Sequence, residues 1–169
     1  MTRDQVLSDS VEYPPTLRDA SSQLSEFSSL CHSINLEMLA SLSDALGLEG
    51  PKRFETSHRA SQPSDSAFNL IYAPTKPRRA DHPDTTHTDS GTLTILFSDQ
   101  WGIMLEHPET KKWAFVEPRP GFALANVADS LQALSGGRLH SCRHAINQAA
   151  DGFEGRYFAV SYLRPEKAA

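Results

Sequence analysis

The 169-residue chain has only two cysteines, Cys31 and Cys142, far apart and outside any CxxC spacing. Neither a disulfide framework nor a zinc knuckle can be read from them, and free thiols are expected. No run of about eighteen uncharged apolar residues is present, which excludes a helical membrane span. The opening Met1-Thr2-Arg3-Asp4-Gln5 lacks the apolar stretch of a secretory signal, so the expected compartment is the cytoplasm. Positive charge is also short. With Lys+Arg 16 against Asp+Glu 21 the net charge is −5, which leaves no basic field for a phosphate backbone, and nucleic acid is not an expected partner. There is no internal repeat and no nucleotide-binding glycine loop. The 38% hydrophobic and 22% charged content is that of an ordinary globular domain, so its chemistry must come from particular residues, among which the seven histidines stand out.

Residues 1–15 are polar, end in Pro14-Pro15, and read as a flexible lead-in. From Thr16, a candidate N-cap, apolar residues recur at Leu17, Ala20, Leu24, Phe27, Cys31, Ile34, Met38, Leu42 and Ala45, the spacing of one long amphipathic helix. Gly47 and Gly50-Pro51 stop it, and Pro51 can open a short second helix through Arg53 and Phe54. Residues 16–66 thus form a helical support segment. From 67 to 169 the pattern changes to short β-branched and aromatic segments between turns: Ala67–Tyr72, Thr92–Phe97, Gly102–Glu106, Trp113–Val116, Phe122–Val127, Leu139–Ile146 and Tyr157–Tyr162. No helical pattern alternates with them. A mainly β, antiparallel sandwich or barrel with a long helix packed on its outside is the expected architecture. Trp101, Phe97, Trp113 and Phe115 read as core or sheet-face residues, and Asn126 and Asp129 as residues that satisfy backbone groups where a strand turns.

The informative stretch is His87-Thr88-Asp89. On a strand, residues i and i+2 point the same way, so an imidazole and a carboxylate are presented together. His144 in the penultimate strand can supply a third ligand. Two histidines and one carboxylate on one face of a metal are the set suited to non-haem Fe(II), with positions left open for other ligands. His140 and His144 also form an HxxxH pair, but on a strand i and i+4 are about 13 Å apart, and His140 is set aside.

Together these segments resemble the iron(II)- and 2-oxoglutarate-dependent oxygenases related to isopenicillin N synthase, from about Phe68 to Pro165. His87–Thr94 is similar to the family's metal-binding strand. Gly102-Ile103-Met104 and Trp113 are similar to its central hairpin, and Pro120-Gly121 and Asn126–Asp129 to the turn and strand that follow. Gly137–His144 is similar to the stretch ending in the distal histidine, and Arg156-Tyr157-Phe158 with Leu163-Arg164-Pro165 to the last strand. The resemblance implies a double-stranded β-helix (jelly roll) with His87, Asp89 and His144 holding Fe(II). It implies that Arg156 grips the distal carboxylate of the cosubstrate 2-oxoglutarate, a role that suits a planar, permanently charged fork. The implied reaction oxidises a small organic molecule with dioxygen by hydroxylation, desaturation or cyclisation, releasing succinate and CO2.

Two positions depart from the family pattern. Phe158 stands where the family usually has the serine of Arg-x-Ser, and Ala73 where many members have a tyrosine. Ser161 lies on the other face of its strand and cannot substitute. A missing hydrogen bond to a buried charge costs roughly 1.5–3 kcal/mol, so 2-oxoglutarate is expected to bind at least tenfold more weakly. Two alternatives stay open: a truncated or degenerate jelly roll that keeps the metal residues but serves as a binding or regulatory module, and a zinc or manganese isomerase or hydrolase. Members of the family usually carry more chain before the helix, so the stripe is expected to be partly bare, or covered in a homodimer.

Overall fold

The computed structural model describes residues 1, 2, 4, 5, 8, 12–74, 86–147 and 152–167. Helix α1 (Pro15–Arg18) and helix α2 (Ser21–Ala45) are separated by a turn at Asp19 and Ala20, so the expected single helix is broken. Pro14 is the N-cap residue of α1, and Pro15 opens it where a missing N–H is harmless; Thr16 is therefore inside the helix and not its cap. At the other end Gly47 takes φ +65°, Gly47 N–H donates to the Asp44 carbonyl and Leu48 N–H to the Ser43 carbonyl, closing α2 in a Schellman motif. Two 3-10 turns, Gly50–Lys52 and Phe54–Ser57, follow where Pro51 suggests a second helix.

Seven antiparallel strands come next: β1 (Ala67–Pro74), β2 (Leu93–Phe97), β3 (Ile103–Glu106), β4 (Trp113–Phe115), β5 (Leu124–Val127), β6 (His144–Ile146) and β7 (Gly155–Leu163). They form a four-stranded sheet in the order β1-β7-β2-β5 and a three-stranded sheet in the order β4-β3-β6. The sixth strand is shorter than expected. Before it, two amides are met by side chains instead of a ladder: Leu139 N–H donates to Ser135 Oγ and Ser141 N–H to Gln132 Oε1. Helix α3 (Asp129–Leu134), too short to show periodicity, lies between β5 and β6.

The alternation of β7 assigns the two faces of the larger sheet. Phe158 and Val160 point inward, where with Ile103 they form a core shared with Leu96, Leu105, Leu124, Val116 and Ile146 of both sheets. Leu163 and Leu93 point outward and pack with Leu39, Phe54 and Leu131. The helix therefore covers the outside of the larger sheet, with the Phe27 ring edge-on to Phe68 at 5.4 Å and tilted against Phe97 at 5.0 Å.

The buried side of α2 is more polar than its apolar stripe suggests. Ser28, Cys31, His32, Asn35, Leu39 and Ser43 are buried, whereas Ile34 is exposed with Leu30. These are the two large apolar side chains of α2 that are exposed, and Ile34 alone of them belongs to the expected stripe. The lead-in is also docked in part: Thr2 pairs with Ala67, Met1 caps the Phe68 carbonyl and Tyr13 is buried.

His58 ties this outer layer to the sheet. Its Nδ1–H donates to the Phe54 carbonyl at 2.8 Å, so Nε2 accepts from the Thr92 hydroxyl, also at 2.8 Å. Burial pushes its pKa below the ordinary histidine value, against the opposing pull of the Phe54 carbonyl, Glu166 and Glu55. The unfolded chain therefore takes up this proton first as pH falls. The contribution of neutral His58 is whole above pH ~6.5 and is lost progressively below it. Melting temperatures between pH 7.5 and 5.5 should fall more steeply for the native chain than for His58→Gln, by up to about 2–4 °C per pH unit. Parallel slopes would contradict the assignment.

Candidate metal centre

His87 and His144 face each other across a paired bridge, His87 N–H to the His144 carbonyl at 3.0 Å and the reverse bond at 2.9 Å. This pairing puts both imidazoles on one side, with ring centroids 4.4 Å apart. Asp89, two residues on, brings Oδ1 to 3.8 Å from His87 Nε2 and 3.7 Å from His144 Nε2. The three ligand atoms lie within 4.8 Å of one another. Atoms each about 2.1 Å from a common ion are at most about 4.2 Å apart, so a small closure fits the set to a divalent metal.

The geometry is held from outside the triad. His144 Nδ1–H donates to the Cys142 carbonyl at 3.1 Å, leaving the Nε2 lone pair for a metal. Asn126 Nδ2 donates to Asp89 Oδ2 at 2.9 Å, which engages the oxygen that does not face the histidines. The start of α3 grips each residue from Thr88 to Gly91. Asp129 Oδ2 accepts from Thr88 Oγ1, Asp129 N–H donates to the Asp89 carbonyl at 2.7 Å, Ser130 Oγ donates to the Ser90 carbonyl, and Ser130 N–H donates to the Gly91 carbonyl. Asp89 is buried, and the half-exposed ring of His87 marks the open side of the site.

Arg156 stands on the inner face of β7, opposite Ala73 of β1, and is fully buried. Its Nε–H donates to the Trp101 carbonyl at 2.5 Å. Gly102 makes room for it, since a Cβ there would stand 2.8 Å from Arg156 Cδ. Phe158, on the same face, is 2% exposed and packs in the inner core, where it offers no donor. Ser161 faces α2, where its side chain is hydrogen-bonded with Cys31. His140 is exposed and takes no part in the cluster. A groove of about 1040 Å3, lined by Leu70, Tyr72, Phe122 and Tyr157, holds none of the triad.

Asn126 and Asp129 are the site residues whose work the sequence reading misplaced. They act on side chains and carbonyls of the metal segment more than on their own turn. The available signal was Asn126 itself, a polar residue two positions after Leu124 on the inward face of an alternating strand.

A jelly roll with two histidines and a carboxylate at its mouth and a buried arginine on its inner wall defines a metal-dependent enzyme scaffold of the non-haem iron class. The chain belongs to the 2OG-Fe(II) oxygenase superfamily, whose family model matches residues 64–165. That superfamily uses Fe(II) and 2-oxoglutarate. The chain is 43% identical to the 2-oxoglutarate-dependent dioxygenase iboH of Amanita muscaria over 92% of its length and 78% of that protein. It is 38% identical to the 2-oxoglutarate-dependent dioxygenase FG08081 of Gibberella zeae over 89% of its length and 46% of that protein. The fold is that of the dioxygenase for auxin oxidation 1 from Arabidopsis thaliana in its binary complex with 2-oxoglutarate, with a TM-score of 0.75, 22% identity, and 98% of this chain covering 60% of that one.

If Asn126 sets the direction of Asp89, Asn126→Ala should weaken Co(II) or Mn(II) binding about 10–100-fold while the fold stays intact. Calorimetric titration measures this, and unchanged affinity would contradict it.

Proposed function

We propose that this chain is the catalytic core of a cytoplasmic Fe(II)- and 2-oxoglutarate-dependent dioxygenase. It would oxidise a small organic metabolite by hydroxylation, desaturation or cyclisation, with release of succinate and CO2. The observation that carries the proposal is the convergence of His87, Asp89 and His144 in one barrel whose inner wall also presents Arg156, a cation withdrawn wholly from water.

Iron with 2-oxoglutarate bound supplies the activation of dioxygen and the attack on carbon. The chain's own residues do the rest. His144 offers Nε2 because its other nitrogen is committed to the Cys142 carbonyl. Asp89 would contribute the negative charge that offsets a divalent cation and offer it Oδ1, because Asn126 donates to Oδ2. Three protein ligands leave room on the metal for cosubstrate and oxygen. Arg156 is assigned to the distal carboxylate of 2-oxoglutarate: it is a cation on the inner wall of the barrel, and its planar fork suits a carboxylate in two-point contact. Ile103, Phe158 and Val160 keep water from the interior.

Burial of Phe158 beside Arg156 means that the second donor of the family pattern is not replaced from this strand. Tight 2-oxoglutarate binding must then rest on the metal and Arg156. Dioxygen and a small molecule are the partners this reading needs; nucleic acid and membrane are not. Among the described residues no helix is long and apolar enough to cross a membrane.

Iron-loaded protein should convert 2-oxoglutarate to succinate in air. Arg156→Lys, which keeps the charge but loses the fork, should raise the KM for 2-oxoglutarate about 10–100-fold with little change in iron affinity. No succinate with a broad substrate panel, or an unchanged KM, would sink the proposal.

A further inference from the structure

We infer that the Thr94 hydroxyl is a positioning group for Asp89 that is engaged only when a divalent cation occupies the triad. The inference rests on the metal-centre reading above. Thr94 is 2% exposed, and its Oγ1 meets no hydrogen-bond partner among the described residues. A buried hydroxyl without a partner destabilises a fold, and valine, of the same shape, would remove the penalty. The hydroxyl therefore belongs to a state in which it is bonded.

Register identifies the partner. Thr94 precedes Leu96 by two on the inner face of β2, directly opposite Asn126 of β5 on one side and Tyr162 of β7 on the other. Opposed side chains on one face have Cβ atoms about 4.5–5.5 Å apart, within reach of an O–H···O bond after a small rotation. Asn126 already spends its amide on Asp89 Oδ2, which leaves its carboxamide oxygen as acceptor. Closing the 4.8 Å spread of ligand atoms onto an ion moves Asp89, and Asn126 with it. Thr94 then donates to the Asn126 oxygen, Asn126 to Asp89, and Asp89 binds the cation. The hydroxyl acts through two residues without touching the metal.

The test separates two signs. Thr94→Val should raise the melting temperature of metal-free protein by about 2 °C or more, yet lower Co(II) affinity about tenfold; Thr94→Ser should keep native affinity. In an Asn126→Ala background the Val substitution should cost no further affinity, because the route is already cut. A Val variant that melts lower without metal and binds Co(II) as the native chain does would overturn the inference, assigning the hydroxyl to packing alone. Failure of the native chain to bind Co(II) would overturn the metal-centre reading and this inference with it. Normal binding in native and Val proteins alike would overturn only the inference.

Discussion

The candidate metal centre depends on how the chain is held from Thr88 to Gly91. A metal-binding carboxylate on a free loop would sample many directions, and ordering it would consume binding free energy. Here four successive residues are each bonded to the first two residues of α3, and the carboxylate is pinned by Asn126. His87 is fixed to His144 by a closed pair of backbone bonds. The candidate ligands are thus positioned by two sets of contacts: the β6 bridge for the two histidines, and α3 with β5 for the aspartate.

The two faces of the larger sheet divide the labour. Its inner face carries, along β7, the buried cation Arg156, then Phe158 and Val160, then Tyr162. Tyr162 is near enough to Asp89 that burial and that carboxylate both raise its phenol pKa, with Arg164 opposing. Its outer face is scaffold, joined to α2 through Leu39 and the phenylalanine cluster and to the 3-10 turns through His58. Because Thr92 is bonded to His58 on the outside and its backbone is paired with Leu163 and Ala128, the outer layer steadies the start of β2 just beyond the metal segment.

Much of this was legible in the residues. His87 and Asp89 were readable as an i, i+2 pair and His144 from its place in the penultimate strand, and the seven strand segments because β-branched runs alternate with turns. What was hidden depends on long-range partners. Helix α3 has six residues, less than two turns, and its value lies in the carbonyls it reaches some forty residues earlier in the chain. Burial of Asn35 and Ser43 in place of Ile34 puts the buried side of α2 along Ser28, His32, Asn35, Leu39 and Ser43, a face chosen by the partners it meets, which a stripe of apolar residues does not encode. Segment 139–143 reads as strand by composition, yet the Ser135 and Gln132 side chains accept from the amides of Leu139 and Ser141 locally.

On the proposed function, the triad and Arg156 form one site for metal and 2-oxoglutarate. The most direct measurement is the anaerobic absorption spectrum of the protein titrated with Fe(II) and then with 2-oxoglutarate. The account predicts a weak metal-to-ligand charge-transfer band that needs both additions and is lost in Asp89→Ala. Tight Fe(II) binding with no such band at saturating 2-oxoglutarate would contradict it.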